Sequence, residues 1–382
     1  MIRVLEVIRQ GQIGGGESHL LDLVHFLDKD IITPVCLSFT DGEMIRRLKH
    51  MGIQCHVIHT DKPFDLKVQR AVKQLMLAEH IQLVHAHGSR AASNVVWPSR
   101  SLHIPLIYTV HGWSFHDDQP AITRRMRALS ERIICHYSQD VICVSQSNAN
   151  TGKRAFGLKT CHVIENGINL ERFNPSASYT DLRQEMHFSP TDYVAGFIAR
   201  CTKQKNPIGF LQALERAHAA NGRIKGLFVG EGDMDAEVDA YIQSHQMEGY
   251  LHRTPFRTDV PELLHAIDAY CLPSLWEGLS IALLEAMAMA KTIIATPTDG
   301  TTEVITNEEN GIIIPFNDTE ALAQAICRMA EEPDMGHRYG EAAHNMVQQR
   351  FNARRVANAV AAIYSEVKGI NGSATSKKDI FV

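Results

Sequence analysis

Glu277 and Glu285 bracket the run Glu277-Gly-Leu-Ser-Ile-Ala-Leu-Leu-Glu285, the first beside a glycine turn and the second inside an apolar stretch that predicts a helix over about 280–290. Leu279, Ile281, Leu283, Leu284, Met287 and Met289 crowd Glu285 on both sides. Ionised groups are rarely buried without partners, so this carboxylate needs a polar one, whether a ligand, a nearby Arg or a backbone amide. Eight residues of helix rise about 12 Å, a separation at which two carboxylates can grip the two ends of an extended polar ligand. Arg200 and Lys205 stand five residues apart in Arg200-Cys-Thr-Lys-Gln-Lys205-Asn-Pro, directly after a strand-like run. A planar guanidinium fork and a point-charge ammonium on one strand-to-helix loop can converge on a pyrophosphate. Standing alone, such a pair is more often solvated surface, but its place at the opening of a second sheet favours the ligand.

The first half supplies further polar groups at strand ends. Gly11-Gln-Ile-Gly14-Gly15-Gly16-Glu17-Ser18 follows the first strand and precedes a helix that Ser18 is expected to help cap. Glycines there permit close backbone approach and offer amides to an anion. The dinucleotide pattern Gly-x-Gly-x-x-Gly fails because His19 takes its third glycine, which disfavours a redox cofactor. Thr109-Val-His111-Gly-Trp113 ends another strand; His111 reads as a polarising or capping imidazole, and Trp113 as a sugar-stacking ring or packing. His85-Ala-His87 lacks a third ligand in sequence and reads as strand-end structure rather than a metal site.

These groups are hung on alternating strands and helices. Residues 4–8, 31–39, 55–59, 83–86, 106–110 and 141–144 read as strands. The pattern restarts after Pro175 with 193–198, 224–229, 250–252, 269–272, 292–295 and 312–314. The expected fold is α/β: two Rossmann-like, doubly wound parallel sheets in series, facing a central cleft where open α/β folds bind ligands. The expected domains are 1–172 with a returning helix over about 352–370, then 173–351, with a loose polar tail over 371–382.

At 382 residues the chain exceeds one hydrophobic core, and 45% hydrophobic against 21% charged residues describe a soluble globular protein. Residues 1–173 hold 20 Lys plus Arg against 16 Asp plus Glu, a balance of +4; the remainder, 18 against 27, balances at −9. With no concentrated basic stripe, nucleic acid is excluded as a partner. The eight cysteines lack Cys-x-x-Cys spacing and read as reduced core thiols, and the N-terminus enters a strand with no signal-peptide pattern, so a cytoplasmic location is expected. Ile122, Met126, Leu129 and Ile133 recur at helical spacing among Arg124, Arg125, Arg127 and Arg132. This reads as an ordinary solvated helix or as a basic amphipathic one that touches the inner face of a membrane over 122–134.

Glu277-x7-Glu285, Arg200-x4-Lys205, the Gly14-Gly15-Gly16 loop and Val110-His111-Gly112 together resemble the retaining nucleotide-sugar glycosyltransferases of glycosyltransferase family 4, which have the GT-B fold. Smaller echoes are Val163-Ile-Glu-Asn-Gly-Ile-Asn169 at the hinge, with Glu165 where the family has Pro, and Gly230-Glu-Gly232. Pro255-Phe256-Arg257 has Pro255 where Gly is usual, and Thr298-Asp-Gly-Thr-Thr-Glu303 departs from the family's Gly-Gly-x-Pro-Glu. The resemblance implies that Arg200 and Lys205 stabilise the departing nucleoside diphosphate, that Glu277 and His111 contact the donor hexose, and that Glu285 binds the ribose. It extends donor binding to Gly15, Gly16, Phe256, Arg257, Gly278, Leu279 and Ser280, and acceptor binding to Glu17 and Trp113. It implies transfer of a hexose or N-acetylhexosamine, from a UDP-sugar first of all, to a glycan or lipid-linked glycan in cell-surface polysaccharide synthesis. No Asp-x-Asp motif stands where a metal would be needed, so neither metal nor cofactor is expected. A sugar-nucleotide epimerase and a non-catalytic sugar-nucleotide-binding subunit are the alternatives.

Overall fold

The computed structural model describes residues 1–116 and 119–369. The tail expected to be loose over 371–382 lies outside the described residues. The chain divides into two compact units, one of residues 1–166 with the segment from Ala353 onward, the other Gly167–Asn352. The dividing bond falls six residues before the expected one at 172/173.

The first unit is built on β1 (Ile2–Ile8), β2 (Ile32–Ser38), β3 (Gln54–Val57), β4 (Leu83–His87), β5 (Leu106–Val110), β6 (Asp140–Cys143) and β7 (His162–Val163). They form a parallel sheet in the order β3-β2-β1-β4-β5-β6-β7. Continuous apolar runs such as Val4-Leu5 and Leu106-Ile107 mark strands covered on both faces, as parallel sheets require. The two-residue β7 was too short to register as a strand in the sequence. The closing helix Ala353–Gly369 sends Val356, Ala357, Val360, Ile363 and Tyr364 into a core with Ile2, Val4, Leu23 and Ile107.

The second unit repeats the plan with β8 (Tyr193–Ile198), β9 (Ile224–Val229), β10 (Leu251–Thr254), β11 (Ala269–Leu272), β12 (Thr292–Ala295) and β13 (Ile312–Ile313), in the parallel order β10-β9-β8-β11-β12-β13. Strand order reverses between β1 and β4 in one sheet and between β8 and β11 in the other. Loops on either side of such a switch point diverge and leave a crevice at the carboxyl ends of the strands, the usual ligand position in open α/β sheets. The glycine loop follows β1 and the His111 loop follows β5, the neighbour of β4, while the Arg200–Lys205 and Glu277 loops follow β8 and β11.

One expectation about local structure is corrected. The helix after β1 begins at Gly15, with Gly14 as its N-cap and no side-chain cap bond, so Ser18 sits inside it and donates its backbone N–H to Gly14 O at 2.9 Å. The basic helix, Ala121–Tyr137, buries Glu131 and Ile134, while Ile122, Met126 and Leu129 stand exposed. Its apolar stripe is therefore not packed on the unit's core. Glu131 is held instead by Ser89 Oγ at 2.6 Å, Tyr108 Oη at 2.9 Å and Ser114 N at 3.0 Å.

Candidate active site

In the second unit the loop after β8 and the loop after β11 are fastened together. Leu275 N donates to Gln204 O at 2.8 Å, and Gln204 Nε2 donates to Trp276 O at 2.8 Å and to Glu277 Oε2 at 3.3 Å. Glu277 Oε1 accepts from Ser274 Oγ at 3.0 Å and from the Lys205 ammonium, so lysine and glutamate form a largely buried ion pair. Lys205 closes a single 3-10 turn, Lys203–Lys205, and Asn206, at φ +54°, then caps the following helix by accepting from Gly209 N at 3.3 Å. Arg200 is the contrasting member of the pair. It is exposed, and among the described residues no side chain bonds to its guanidinium. Between the two, the Thr202 hydroxyl is buried and without a hydrogen-bond partner among the described residues.

The cation loop is cradled by the turn after β9. A Cβ on Gly230 would stand 1.8 Å from Ala199 O, and one on Gly232 would stand 2.1 Å from Cys201 O; Gly230 also has φ +148°. Only glycine tolerates that approach, so this turn fixes the backbone that carries Arg200.

Ser280 caps the helix Ile281–Ala288 by accepting from Leu283 N at 3.4 Å, which ends the glycine turn and starts the apolar segment that holds Glu285. Glu285, Leu279 and Ser280 are buried, and Gly278 is half-buried. Both acids lie near the buried Tyr270, whose phenol is pushed well above its ordinary value by burial first, then by the charges of Glu277 and Glu285. The short helix Asp299–Thr302 presses on the same turn, because a Cβ on Gly300 would stand 2.0 Å from Gly278 O. Phe256 is exposed. Arg257, expected in donor binding, is engaged by Asp259 through Nε at 3.0 Å and Nη2 at 2.5 Å, and by Glu185 at 2.9 Å.

In the first unit Gly16 faces His111, and a Cβ there would stand 3.6 Å from the imidazole Cδ2. Glu17 is buried and turned back toward the start of its own helix, its Oε2 2.8 Å from where a Cβ on Gly14 would sit. Acidic groups are favoured at a helix N-terminus. Trp113 is corrected from sugar stacking to packing: it is 5% exposed, donates from Nε1 to Asn148 O at 2.9 Å, and stacks on Phe115. Gly152 leaves room for its ring, where a Cβ would stand 2.6 Å from Cζ2.

The sequence reading missed a buried polar cluster behind His111. Glu6, inside β1, accepts from His87 Nε2 at 2.9 Å and from Tyr364 Oη at 2.8 Å, and His85 Nδ1 lies 2.6 Å from the same phenol. His87 Nδ1 lies 3.2 Å from His111 Nε2, and His19 packs edge-on against His111. Burial lowers His19 to about 3 and His87 to about 4; it pushes the Glu6 carboxyl up, but His85 and His87 outweigh it and hold that group well below the carboxylate range. His111 is pushed well below its ordinary value by the same burial. The ring nitrogens of His19, His87 and His111 lie within 4.8 Å of one another, close enough to share a metal ion. The clue in the sequence was Glu6, an acid in an apolar strand.

Residues 13–172 match the family model described as Glycosyltransferase Family 4, and residues 178–346 match Glycosyl transferases group 1. The Escherichia coli UDP-Gal:alpha-D-GlcNAc-diphosphoundecaprenol alpha-1,3-galactosyltransferase is 27% identical over 70% of this chain and 71% of its own. The N-acetyl-alpha-D-glucosaminyl L-malate synthase of Bacillus anthracis is 23% identical over 80% of each. Among solved structures, Anabaena HepE in complex with UDP and glucose aligns with a TM-score of 0.85 at 22% identity, covering 96% of this chain and all of that one. Its neighbours of this kind have the GT-B fold.

Proposed function

The chain belongs to the nucleotide-sugar glycosyltransferases of the family 4 type, a group that acts in polysaccharide and glycoconjugate synthesis, and from that premise we propose that it transfers a hexose or N-acetylhexosamine from a UDP-sugar, with retention, to a glycan or lipid-linked glycan. The observation that carries this reading is the Lys205–Glu277 pair on the same loops as Arg200, whose guanidinium no described side chain bonds, at the switch point of the second sheet. Two cations at that point suit a leaving diphosphate, and a carboxylate already fixed by Ser274 and Gln204 suits a sugar hydroxyl.

In this mechanism the bond between the anomeric carbon and the diphosphate oxygen breaks through an oxocarbenium-like transition state. Arg200 and Lys205 stabilise the charge that develops on the diphosphate. Glu277 and His111 hold the hexose, and Glu285 takes the ribose hydroxyls. The acceptor hydroxyl attacks from the face that the diphosphate leaves, its oxygen bonds to the anomeric carbon, and its proton passes to the departing phosphate. No metal is needed in this scheme, because fixed cations supply the charge.

The second unit is the sugar-nucleotide unit, and the first serves the acceptor, with Glu17 at the glycine loop. For a lipid-linked acceptor, the exposed Ile122, Met126 and Leu129 among Arg124, Arg125 and Arg132 offer a face for the anionic inner surface of a membrane. No helix among the described residues is long and apolar enough to cross one.

The test is to incubate the protein with UDP-glucose, UDP-galactose or UDP-N-acetylglucosamine, with and without a polyprenyl-diphosphate sugar. Acceptor-dependent UDP release and an α-linked product support the reading. Conversion of donor without acceptor would make the protein an epimerase, and binding without UDP release would make it a binding subunit.

A further inference from the structure

We infer that Glu6, His87 and Tyr364 form a buried relay that fixes which ring nitrogen of His111 carries its proton, which makes them positioning residues for the imidazole assigned above to the sugar. The inference rests on that assignment for its functional meaning but not for its geometry.

The parallel register of β1 and β4 places Glu6 opposite His85 and Ile8 opposite His87, and β5 next to β4 delivers His111 immediately beyond Val110. Glu6 has no exposed surface, and its oxygens meet three partners: Oε1 accepts from Tyr364 Oη, and Oε2 accepts from His87 Nε2 at 2.9 Å with His85 Nδ1 at 3.2 Å. An ionised carboxylate only accepts, so His87 must carry hydrogen on Nε2. In a neutral imidazole the other nitrogen is then an acceptor, and His87 Nδ1 faces His111 Nε2 at 3.2 Å. Nε2 of His111 must therefore hold the hydrogen, and Nδ1 is left as the lone pair that a sugar hydroxyl can meet. Tyr364, whose hydroxyl donates to Glu6, accepts from His85 Nδ1 at 2.6 Å, which fixes that ring as well. Burial keeps His87 and His111 neutral, as the relay requires. Edge-on contact with His19 at 4.9 Å between ring centres, together with Gly16 against its face, holds the His111 ring in place.

Histidine-selective 15N labelling of the full chain, with spectra that report two- and three-bond nitrogen–proton couplings, reads the tautomer directly; His111→Gln assigns the signal. The wild type should show His111 in the Nε2–H form. In Glu6→Gln the acceptor-only carboxylate becomes an amide that can donate to His87, so the His111 signal should move to a mixture or to the Nδ1–H form. Turnover of UDP-glucose should then fall about tenfold or more with the donor KM little changed. A wild-type His111 in the Nδ1–H form would overturn the relay without any variant having to fold, as would an unchanged tautomer in a folded Glu6→Gln protein. Stoichiometric metal in the purified wild type that is lost in His87→Gln would also overturn it, because the facing nitrogens would then be ligands. If the tautomer behaves as expected while His111→Gln keeps full turnover, the relay stands and the sugar-holding role of His111 falls.

Discussion

The Lys205 ammonium and the Glu277 carboxylate, 72 residues apart in the chain, form an ion pair whose side chains are only 10% and 8% exposed. Removing one partner of a buried pair leaves the other charge uncompensated, at a cost of about 3 kcal/mol. Lys205→Ala should therefore lower the melting temperature as well as the rate of transfer. Lys205→Met combined with Glu277→Gln should recover most of the stability and none of the activity. A double variant that also regains UDP release would remove both residues from the chemistry.

Arg200 should behave in the opposite way. Its guanidinium is exposed and unbonded among the described residues, so Arg200→Ala should shift stability by no more than about 0.5 kcal/mol. If it stabilises the leaving diphosphate, kcat should fall about 100-fold. Steady-state UDP release and thermal melts of the same preparation separate the two effects.

Gly300 and Gly16 make a paired test of close approach. A Cβ on Gly300 would stand 2.0 Å from the backbone oxygen of Gly278, whereas one on Gly16 would make ordinary contact with His111 at 3.6 Å. Gly300→Ala should displace the turn that bears Glu277, lower the melting temperature and raise the donor KM, while Gly16→Ala should leave the melting temperature near wild type. Equal behaviour of the two would count against the turn as a donor contact.

Acid should destabilise the first unit earlier than carboxylate titration alone would. Desolvation lowers His19 to about 3 and His87 to about 4 from an ordinary 6.5, and His111 falls as well. The unfolded chain thus binds protons that the folded chain refuses, and stability present above pH 6.5 is lost as pH falls toward 4. Glu6, held low by His85 and His87, adds a loss of the same sign below its ordinary 4.5, and Tyr364 faces it as a neutral phenol. Melting temperatures between pH 8 and pH 4.5 should show this slope, and His19→Gln should make it shallower.

Vesicles of anionic phospholipid should float with the wild-type protein at low salt. Replacing Arg124, Arg125 and Arg132 by Glu should abolish flotation and leave UDP release to a water-soluble acceptor unchanged. Flotation that survives the reversal would exclude this helix as the contact.

Much of the fold was readable because fully covered strands are continuous apolar runs: Tyr193–Ile198, Ala269–Leu272 and Thr292–Ala295 were bounded to the residue. The placement of Arg200, Lys205 and Glu277 on loops was readable because each follows an apolar strand, and those two strands flank the switch point. The Glu6 cluster was not, because residues 6, 85, 87, 111 and 364 meet only through the register of three parallel strands and the return of the last helix. Trp113 could not be placed from its neighbours either, since the space it fills is made by Gly152 on a later helix.

Tyr364 reaches Glu6 across 358 residues of chain, and the helix bearing it also covers Ile2 and Val4. During synthesis, then, the first unit is completed only after the whole of the second has been made. Until the segment from Ala353 onward has been made, β1 lacks its cover and its buried carboxylate lacks a phenol, so nascent chains halted before residue 353 should leave the first unit open to protease even after the second unit has closed.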